Sequence, residues 1–248
     1  MGKGSKIGFG GRGSSLTGKS GLKQGGNEIA FKPSDYLLLS NIGVQGSVLF
    51  SSQEDYDRFE AYLYLLNAID GPRASNFFLD GRGQDIFTAA RGGNLVAIGA
   101  YSFTPRGFLI LVKELSPKGI AKFMQKMPTA YTMYFNRKYQ RDGRIFHSGY
   151  RADVADSEAH LKFLLAAVHL HPAVLFDPHW EDAQDAELRL LAYRALEYRY
   201  SSFGEYAKRK FVILSPEYFP RFFMSMRDPM AIIAQWKKGR KLQSNDKI

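Results

Sequence analysis

Hydrophobic positions along the chain change period several times, and each period predicts one type of element. Residues 35–43 (DYLLLSNIG) are a short apolar run that ends at an Asn/Gly turn signal, which predicts a buried strand. Ser51 and Glu54 have the spacing of a capping box, so a helix is predicted to begin there. That amphipathic helix covers residues 53–68, in which apolar side chains recur at steps of three and four: Tyr56, Phe59, Leu63 and Leu66.

A β-hairpin is predicted in the middle of the chain. Residues 94–104 and 107–113 are rich in strand-forming residues and are separated only by the turn signal Pro105-Arg106. Because both runs are strongly apolar, we expect them to be the two central strands of a sheet. The preceding residues 70–93 carry many turn formers and no sustained period, and they predict a long loop.

The second half of the chain returns mainly to helical periodicity. The predicted elements are a helix that starts at Ser116-Pro117, a pair of strands around residues 144–155, a helix capped by Asp156 or Ser157, and helices in residues 182–198 and 216–236. The order strand, helix, β-hairpin, helix, strands, helix predicts an α+β fold with an antiparallel sheet and helices on one or both faces.

The two ends of the chain differ in composition from its centre. Residues 1–27 contain ten glycines and five basic residues but no acid, so they cannot offset the entropy of ordering. We expect a disordered basic arm over residues 1–30, either a nucleic-acid-binding tail or a flexible solubilising extension. The other predicted units are an α+β domain in residues 31–180, a C-terminal helical extension in residues 181–236 and a basic tail in residues 237–248.

The whole chain carries an excess of basic residues and no cysteine. The 34 Lys and Arg against 24 Asp and Glu give a formal net charge of +10, which favours an anionic polymer such as nucleic acid as the partner. Without cysteine the chain can form neither disulfides nor Cys-ligated metal sites. We also find no apolar run near the ~20 residues of a membrane span and no secretory signal, so we expect a cytoplasmic protein without a membrane segment.

The excess of basic residues is concentrated between Lys118 and Arg151. This stretch has eight basic residues against the single acid Asp142, and aromatic residues are interleaved with them. A solvated helix face with aromatic core residues would give a similar pattern, but the concentration favours contact with nucleic acid. The predicted binding residues are Lys122, Lys126, Arg137, Lys138, Arg141, Arg144 and Arg151.

Part of this stretch resembles a known family. TAYTMYFNRKYQRDGRIFHSGYRADV (Thr129–Val154) is similar to a segment that, in the REP-associated branch of the single-tyrosine HUH transposases, reads like SYTRYFNRKYGRSGHLFQGRFKAILV. Shorter segments resemble the same family in the same order: DYLLLSNIG, FSSQEDYDRF, HLKFLLAAVHLHPA and YRYSSFGEY. The resemblance covers residues 34–225, apart from much of the predicted loop in residues 70–93.

The resemblance implies a ferredoxin-like domain that binds folded single-stranded DNA hairpins, and the C-terminal extension resembles that of the branch usually found as monomers. Active members of the family cut a DNA strand with a tyrosine nucleophile, assisted by a divalent cation that two histidines hold on one strand face. In this chain Gly107 and Leu109 occupy the positions of those histidines, and His160 occupies that of the tyrosine. We therefore expect no residue with the family's catalytic role, no bound metal and no cofactor.

A second pair of histidines does not restore the motif. His169-Leu170-His171 has the sequence histidine, apolar residue, histidine, but it ends a leucine-rich helical segment. On a helix, side chains two residues apart point about 200° away from each other, so this pair is not expected to chelate a metal.

Three functions remain open from the sequence. The first is a nucleic-acid-binding protein, derived from a transposase, that recognises hairpin or single-stranded DNA or RNA and has lost strand cleavage. The second is a divergent enzyme of DNA transposition, in which His160 and a carboxylate such as Asp153 or Asp156 carry out metal-assisted strand cleavage. The third is a structural or protein-interaction module that docks on nucleic acid.

Overall fold

The computed structural model describes residues 32, 35–71, 73–79, 86–147 and 149–245, so the predicted basic arm lies outside the described residues. The strands are β1 (Tyr36–Ile42), β2 (Val96–Thr104), β3 (Gly107–Glu114) and β4 (Arg151–Val154). The helices are α1 (Gln53–Leu65), α2 (Asn76–Leu79), α3 (Gly119–Lys138), α4 (Glu158–Leu170), α5 (Asp185–Glu197), α6 (Phe203–Lys208), α7 (Phe222–Ser225) and α8 (Pro229–Asn245).

The four strands form one antiparallel sheet in the order β2-β3-β1-β4. Apart from the four-residue α2, the chain passes through the elements as β1-α1-β2-β3-α3-β4, so β3 is inserted between β1 and β2. This split βαβ topology is the ferredoxin-like arrangement, and it confirms the predicted α+β fold class. The predicted β-hairpin is confirmed as well, since Pro105-Arg106 joins β2 to β3 and Thr104 pairs with Gly107.

The position of β2 differs from the prediction, because this strand lies at an edge of the sheet, and the central strands are β3 and β1. The C-terminal part of the chain covers the free edge of β2. Phe103 N–H donates to the carbonyl of Tyr200, and Ser215 N–H donates to the carbonyl of Ile98, both at 2.9 Å. Every residue of β2 is consequently buried, which explains why an edge strand has the apolar sequence of a central one.

Different helices cover the two faces of the sheet. On one face, the ring of Phe59 in α1 meets Tyr131 of α3 and Phe103 of β2, with ring centroids 4.9 and 5.0 Å apart. On the opposite face, α4 packs against β2 and β3, and α8 packs against α4. Phe163 of α4 stacks on Trp236 of α8 at 4.9 Å, so the C-terminal extension shares the hydrophobic core of the sheet domain.

The start of α3 lies two residues later than predicted. Lys118 adopts a left-handed conformation with φ of 58°, and Gly119 N–H donates to the carbonyl of Ser116 at 2.8 Å. Ser116 and Pro117 therefore form a turn that precedes the helix. At Gly119 the backbone passes so close to Leu95 that a Cβ atom would lie 2.2 Å from the Leu95 carbonyl oxygen.

Two predictions about the second half of the chain are wrong. The last helix continues to Asn245 instead of ending at residue 236. The strand pair expected around residues 144–155 is a single strand, β4, together with an isolated bridge between Gly43 and Phe146. Among the described residues, no helix is long and apolar enough to cross a membrane.

Candidate nucleic-acid interface

Helix α3 carries much of the predicted basic stretch along the outside of the molecule. Its 20 residues span about 30 Å, so basic residues at its two ends cannot contact the same phosphate. Lys122 and Lys126 are exposed on its first half, where Lys126 Nζ donates to the carbonyl of Ala68 at 2.9 Å. Arg137 is exposed near its C-terminal end. The predicted binding residues therefore form two separate groups.

Lys138 makes its contacts inside the protein. Its ammonium group donates to Asp55 Oδ1 at 2.8 Å and to the hydroxyls of Ser52 and Tyr134 at 2.8 and 3.1 Å. It also forms an ion pair with Glu54 at 2.9 Å. Burial alone would lower the pKa of Lys138, but these hydrogen bonds, led by that to Asp55, raise it. Its charge balances a buried carboxylate, so Lys138 is the least available of the predicted phosphate ligands.

The Asp55 side chain is completely buried at the N-terminus of α1. Its Oδ2 atom accepts the backbone N–H groups of Ser51 and Ser52 at 2.8 and 3.0 Å, which places the capping box one residue later than predicted. The hydroxyls of Tyr134 and Tyr139 also donate to this carboxylate, at 2.8 and 2.7 Å. Burial raises the pKa of Asp55, but hydrogen bonds from the lysine and the two tyrosines lower it below its usual value.

Three exposed arginines surround the C-terminal end of β1, and we call them the β1-end arginines: Arg106, Arg144 and Arg151. Gly43 N–H donates to the carbonyl of Arg106 at 2.8 Å, and Val44 N–H donates to the carbonyl of Ile145, the neighbour of Arg144, at 2.8 Å. Ser40 pairs with Arg151 across the sheet. None of the three forms an ion pair with a carboxylate of the described residues.

Arg106 was missed as a candidate binding residue. In the sequence it is part of a two-residue turn and lies outside the basic stretch, so only its position at the tip of an apolar β-hairpin could have indicated it. Its Nη1 atom donates to the carbonyl of Gly46 at 3.1 Å, which holds the guanidinium beside the end of β1. The guanidinium of Arg141, one of the predicted binding residues, lies 5.7 Å from the centre of the Phe135 ring.

Most aromatic residues of the basic stretch belong to the core. Tyr131, Phe135 and Phe146 are buried, and the hydroxyl of Tyr131 donates to the carbonyl of Leu49 at 2.6 Å. Tyr150 is 37% exposed and lies directly before Arg151, where its ring can reach a base. Tyr139 is also 37% exposed, but its hydroxyl donates to Asp55. Stacking of bases on the buried rings would require the core to open.

A groove opens on the α4 face of the sheet, and it is lined by Gly107 and Leu109, the two residues that the resemblance aligned with histidines. Leu109 pairs with Ser40, which pairs in turn with Arg151, so the three side chains lie on the same face. The groove has a volume of about 620 Å³. Its lining includes Ser40, Ile42, Thr104, Gly107, Leu109, His171 and Leu175. Gly107 has no side chain and Leu109 has no lone pair, so neither residue can ligate a cation.

His160 lies at the start of α4 between two carboxylates. Its Nε2 atom is 3.7 Å from Asp153 Oδ2, and its Nδ1 atom is 3.3 Å from Asp156 Oδ1. Ser157 Oγ accepts the backbone N–H of His160 at 3.1 Å, which confirms Ser157 as the cap of this helix. Within the part of the chain that the structure describes, no three His, Asp or Glu side chains form a group that could hold a metal ion.

His169 and His171 contact different parts of the structure. The His169 ring stacks on Phe203 at 4.7 Å, and burial lowers its pKa to about 3. The Nδ1 atom of His171 lies 3.1 Å from Ser102 Oγ, and burial lowers its pKa to about 4. Both rings are neutral at pH 7, and the two residues have no common ligand position.

No protein-family model and no curated protein matches this chain. Among solved structures, the chain is similar to a REP-associated tyrosine transposase bound to a REP hairpin. The two share 9% sequence identity, the match covers 77% of this chain and 87% of that chain, and the TM-score is 0.47. The fold assignment rests on the strand order and register described above.

Proposed function

We propose that this chain is a nucleic-acid-binding protein that recognises hairpin or single-stranded DNA or RNA and has lost strand cleavage. The observation that carries the proposal is the set of β1-end arginines. Three separate segments bring exposed guanidinium groups to one end of one strand, and no described carboxylate neutralises them. The motif resemblance to the REP-associated transposases supports the same class of ligand.

The chemistry of these arginines suits phosphate. A guanidinium group is planar, stays charged at all relevant pH values and can donate two parallel hydrogen bonds to a phosphate. Arg137, Lys122 and Lys126 on α3 extend the positive surface away from the β1-end arginines. They would add electrostatic attraction that does not depend on sequence.

A charge reversal tests the proposal. The variant Arg106→Glu/Arg144→Glu/Arg151→Glu should bind a DNA hairpin with a single-stranded tail more than tenfold more weakly than the unmodified chain. Its affinity should also fall less steeply with salt, because the slope of log affinity against log salt is about −0.7 for each phosphate neutralised on a single strand. Fluorescence anisotropy at several salt concentrations measures both quantities.

The matched control reverses three exposed cations of the C-terminal extension, in the variant Lys208→Glu/Lys210→Glu/Arg227→Glu. Both triple variants change the net charge equally, so a purely global electrostatic effect would weaken them alike. An equal loss of affinity in the two triple variants would overturn the proposal. An affinity of the unmodified chain that does not change with salt would overturn it as well. The salt-independent result would favour the protein-interaction alternative.

Loss of strand cleavage has a separate test. The chain is incubated with end-labelled DNA hairpins and manganese, and the products are separated on a denaturing gel. We expect intact DNA and no label on the protein, since Gly107 and Leu109 cannot supply the cation ligands of the family. Label retained on the protein and lost in His160→Ala would show that cleavage has survived.

One observation favours the divergent enzyme as a second candidate. His160 lies 3.7 Å from Asp153 and 3.3 Å from Asp156, and a carboxylate oxygen is a ligand that suits Mg²⁺ or Mn²⁺. In this candidate Asp153 or Asp156 would ligate the cation and His160 would attack the phosphorus. A bond from the imidazole nitrogen to phosphorus would form while the bond to one ester oxygen of the strand breaks, and that oxygen would leave as a hydroxyl. The gel assay decides between the two functions. A cytoplasmic location and a monomeric state complete the proposal.

A further inference from the structure

The groove beside Leu109 has the dimensions and the walls of a ligand site. Its volume of about 620 Å³ falls within the range of small-molecule sites, which is about 300–1,000 Å³. Its walls are mainly apolar, with Ile42 and Leu109 on the sheet side and Val174 and Leu175 on the opposite side. Ile42 is 54% and Leu175 is 38% exposed, so apolar surface faces solvent on both sides of the opening.

A few polar atoms lie among these apolar walls. The lining includes the hydroxyl-bearing Ser40 and Thr104 and the ring of His171. Because the His171 Nδ1 atom contacts Ser102 Oγ at 3.1 Å, Nε2 is the ring nitrogen left for a ligand. The ring is neutral at pH 7, so it adds a hydrogen-bonding atom to the groove without adding charge.

Positive charge is found at the edge of the groove. Arg106 is itself part of the lining, and Arg151 lies on the same face beyond Ser40. The groove therefore combines apolar walls, neutral polar atoms and cations at its edge. An unstacked nucleotide has the complementary features, namely a flat apolar base with polar edges and an anionic phosphate.

We propose that the groove binds one unstacked base of a single-stranded segment, whose phosphate contacts Arg106 and Arg151. The inference rests on the proposed nucleic-acid binding and adds a position at which the protein contacts a base. A base held in this way leaves the stack of its neighbours, so the site selects single-stranded tails or loops over duplex.

The test uses DNA hairpins with a short single-stranded tail in which each tail nucleotide is replaced in turn by an abasic one. We expect one position at which the abasic DNA binds between about 5- and 150-fold more weakly, because this is the range of a base-stacking contact. Removal of the other bases should have little effect.

The variant Ile42→Ala/Leu175→Ala connects the base to the groove. It should weaken binding of intact DNA but should not weaken binding of the DNA that lacks the critical base, which is the signature of a direct contact in a double-mutant cycle. The control variant Val212→Ala/Leu190→Ala truncates two side chains that are 50% and 54% exposed outside the groove, and it should behave like the unmodified chain. Urea unfolding of both variants checks that they fold.

The possible failures are distinguishable. If the chain binds DNA in a salt-dependent manner but no abasic position matters, the base site is overturned and the proposed function stands. If an abasic nucleotide at one position weakens binding equally in the unmodified chain and in Ile42→Ala/Leu175→Ala, the base binds elsewhere on the protein. The proposal that the groove binds it is then overturned. If no DNA or RNA binds, the proposed function itself fails.

Discussion

The hydroxyl oxygen of Tyr101 lies 2.7 Å from Oε1 of Glu205. It also lies 2.9 Å from Oε1 of Glu60, so one phenol faces two carboxyl groups inside the protein. A phenol has a single hydrogen to donate, and a second close contact with a carboxyl oxygen requires that this carboxyl carry a proton. Burial raises the pKa of Glu205 to about 7 and also raises the pKa of Glu60, although the hydrogen bond from Tyr101 opposes both shifts.

The first prediction is that Glu205 stabilises the fold increasingly as the pH falls from 8 to 5, measured as the difference in free energy of unfolding between the unmodified chain and Glu205→Gln. The comparison with a variant is needed because His169 and His171, whose pKa values burial lowers, act in the opposite direction below pH 6.5. The pKa of Glu205 is about 7 in the folded chain and near 4.5 when unfolded, so the folded chain binds more protons between these values. This stabilisation is complete below pH 4.5 and is lost as the pH rises through 7. Between pH 8 and pH 5 this contribution changes the free energy of unfolding by about 2–3 kcal/mol, measured by urea titration.

Glu205→Gln is the control for this pH dependence. Glutamine keeps the size and hydrogen-bonding capacity of the protonated carboxyl but does not titrate, so the two histidines contribute equally to both proteins and the difference between the proteins isolates Glu205. A difference between the two proteins that does not change from pH 8 to pH 5 would contradict the role given to Glu205. The cluster joins α1, β2 and α6, so it links the C-terminal extension to the sheet domain.

The second prediction concerns the buried carboxylate of Asp55. Asp55→Ala should lower the free energy of unfolding by about 3–5 kcal/mol, because it leaves Lys138 and two tyrosine hydroxyls without their partner. The matched control is Glu54→Ala, which removes a carboxylate that is 61% exposed and pairs with the same lysine. This exposed pair should contribute less than about 1 kcal/mol. Similar losses in the two variants would contradict the role given to Asp55.

The third prediction separates two neighbours in the basic stretch. Lys138→Glu should lower the free energy of unfolding by more than about 3 kcal/mol, because it places two carboxylates together at a buried site. Arg137→Glu should change it by less than about 0.5 kcal/mol, since Arg137 is exposed. Urea denaturation measures both. Equal stability of the two variants would contradict the pairing of Lys138 with Asp55, and Lys138 would remain a predicted binding residue.

Lys138 and Arg137 also show why the binding residues could be predicted only in part from the sequence. Apolar periodicity located the sheet, α1 and α4, because burial on one face imposes a repeat that is visible locally. The partner of Lys138 is 83 residues away in Asp55, and no local pattern records that distance. A basic residue that balances a buried acid and one that contacts phosphate look alike until the fold places the acid.

The same reason explains the wrong position of β2. Its apolar sequence requires that both faces and the outer edge be covered, and a neighbouring strand is only one way to cover an edge. Here the backbone of Tyr200 and Ser215 does so, from segments that the sequence pattern described only as a helical extension. Contacts of such long sequence separation depend on tertiary structure and leave no period in the chain.

The fourth prediction concerns Gly239, where α8 crosses α4. A Cβ atom at this position would lie 2.2 Å from the ring of Phe163, so the close approach of the two helices requires glycine. Gly239→Ala should raise the helix propensity of α8 by about 1 kcal/mol. The collision forces Phe163 off the ring of Trp236 and costs about 1–3 kcal/mol, so we expect a net loss of stability in urea unfolding. Gly149→Ala, where a Cβ meets nothing within 4 Å, should cause no such loss. A Gly239→Ala variant more stable than the unmodified chain would show that α8 does not pack on α4 as described.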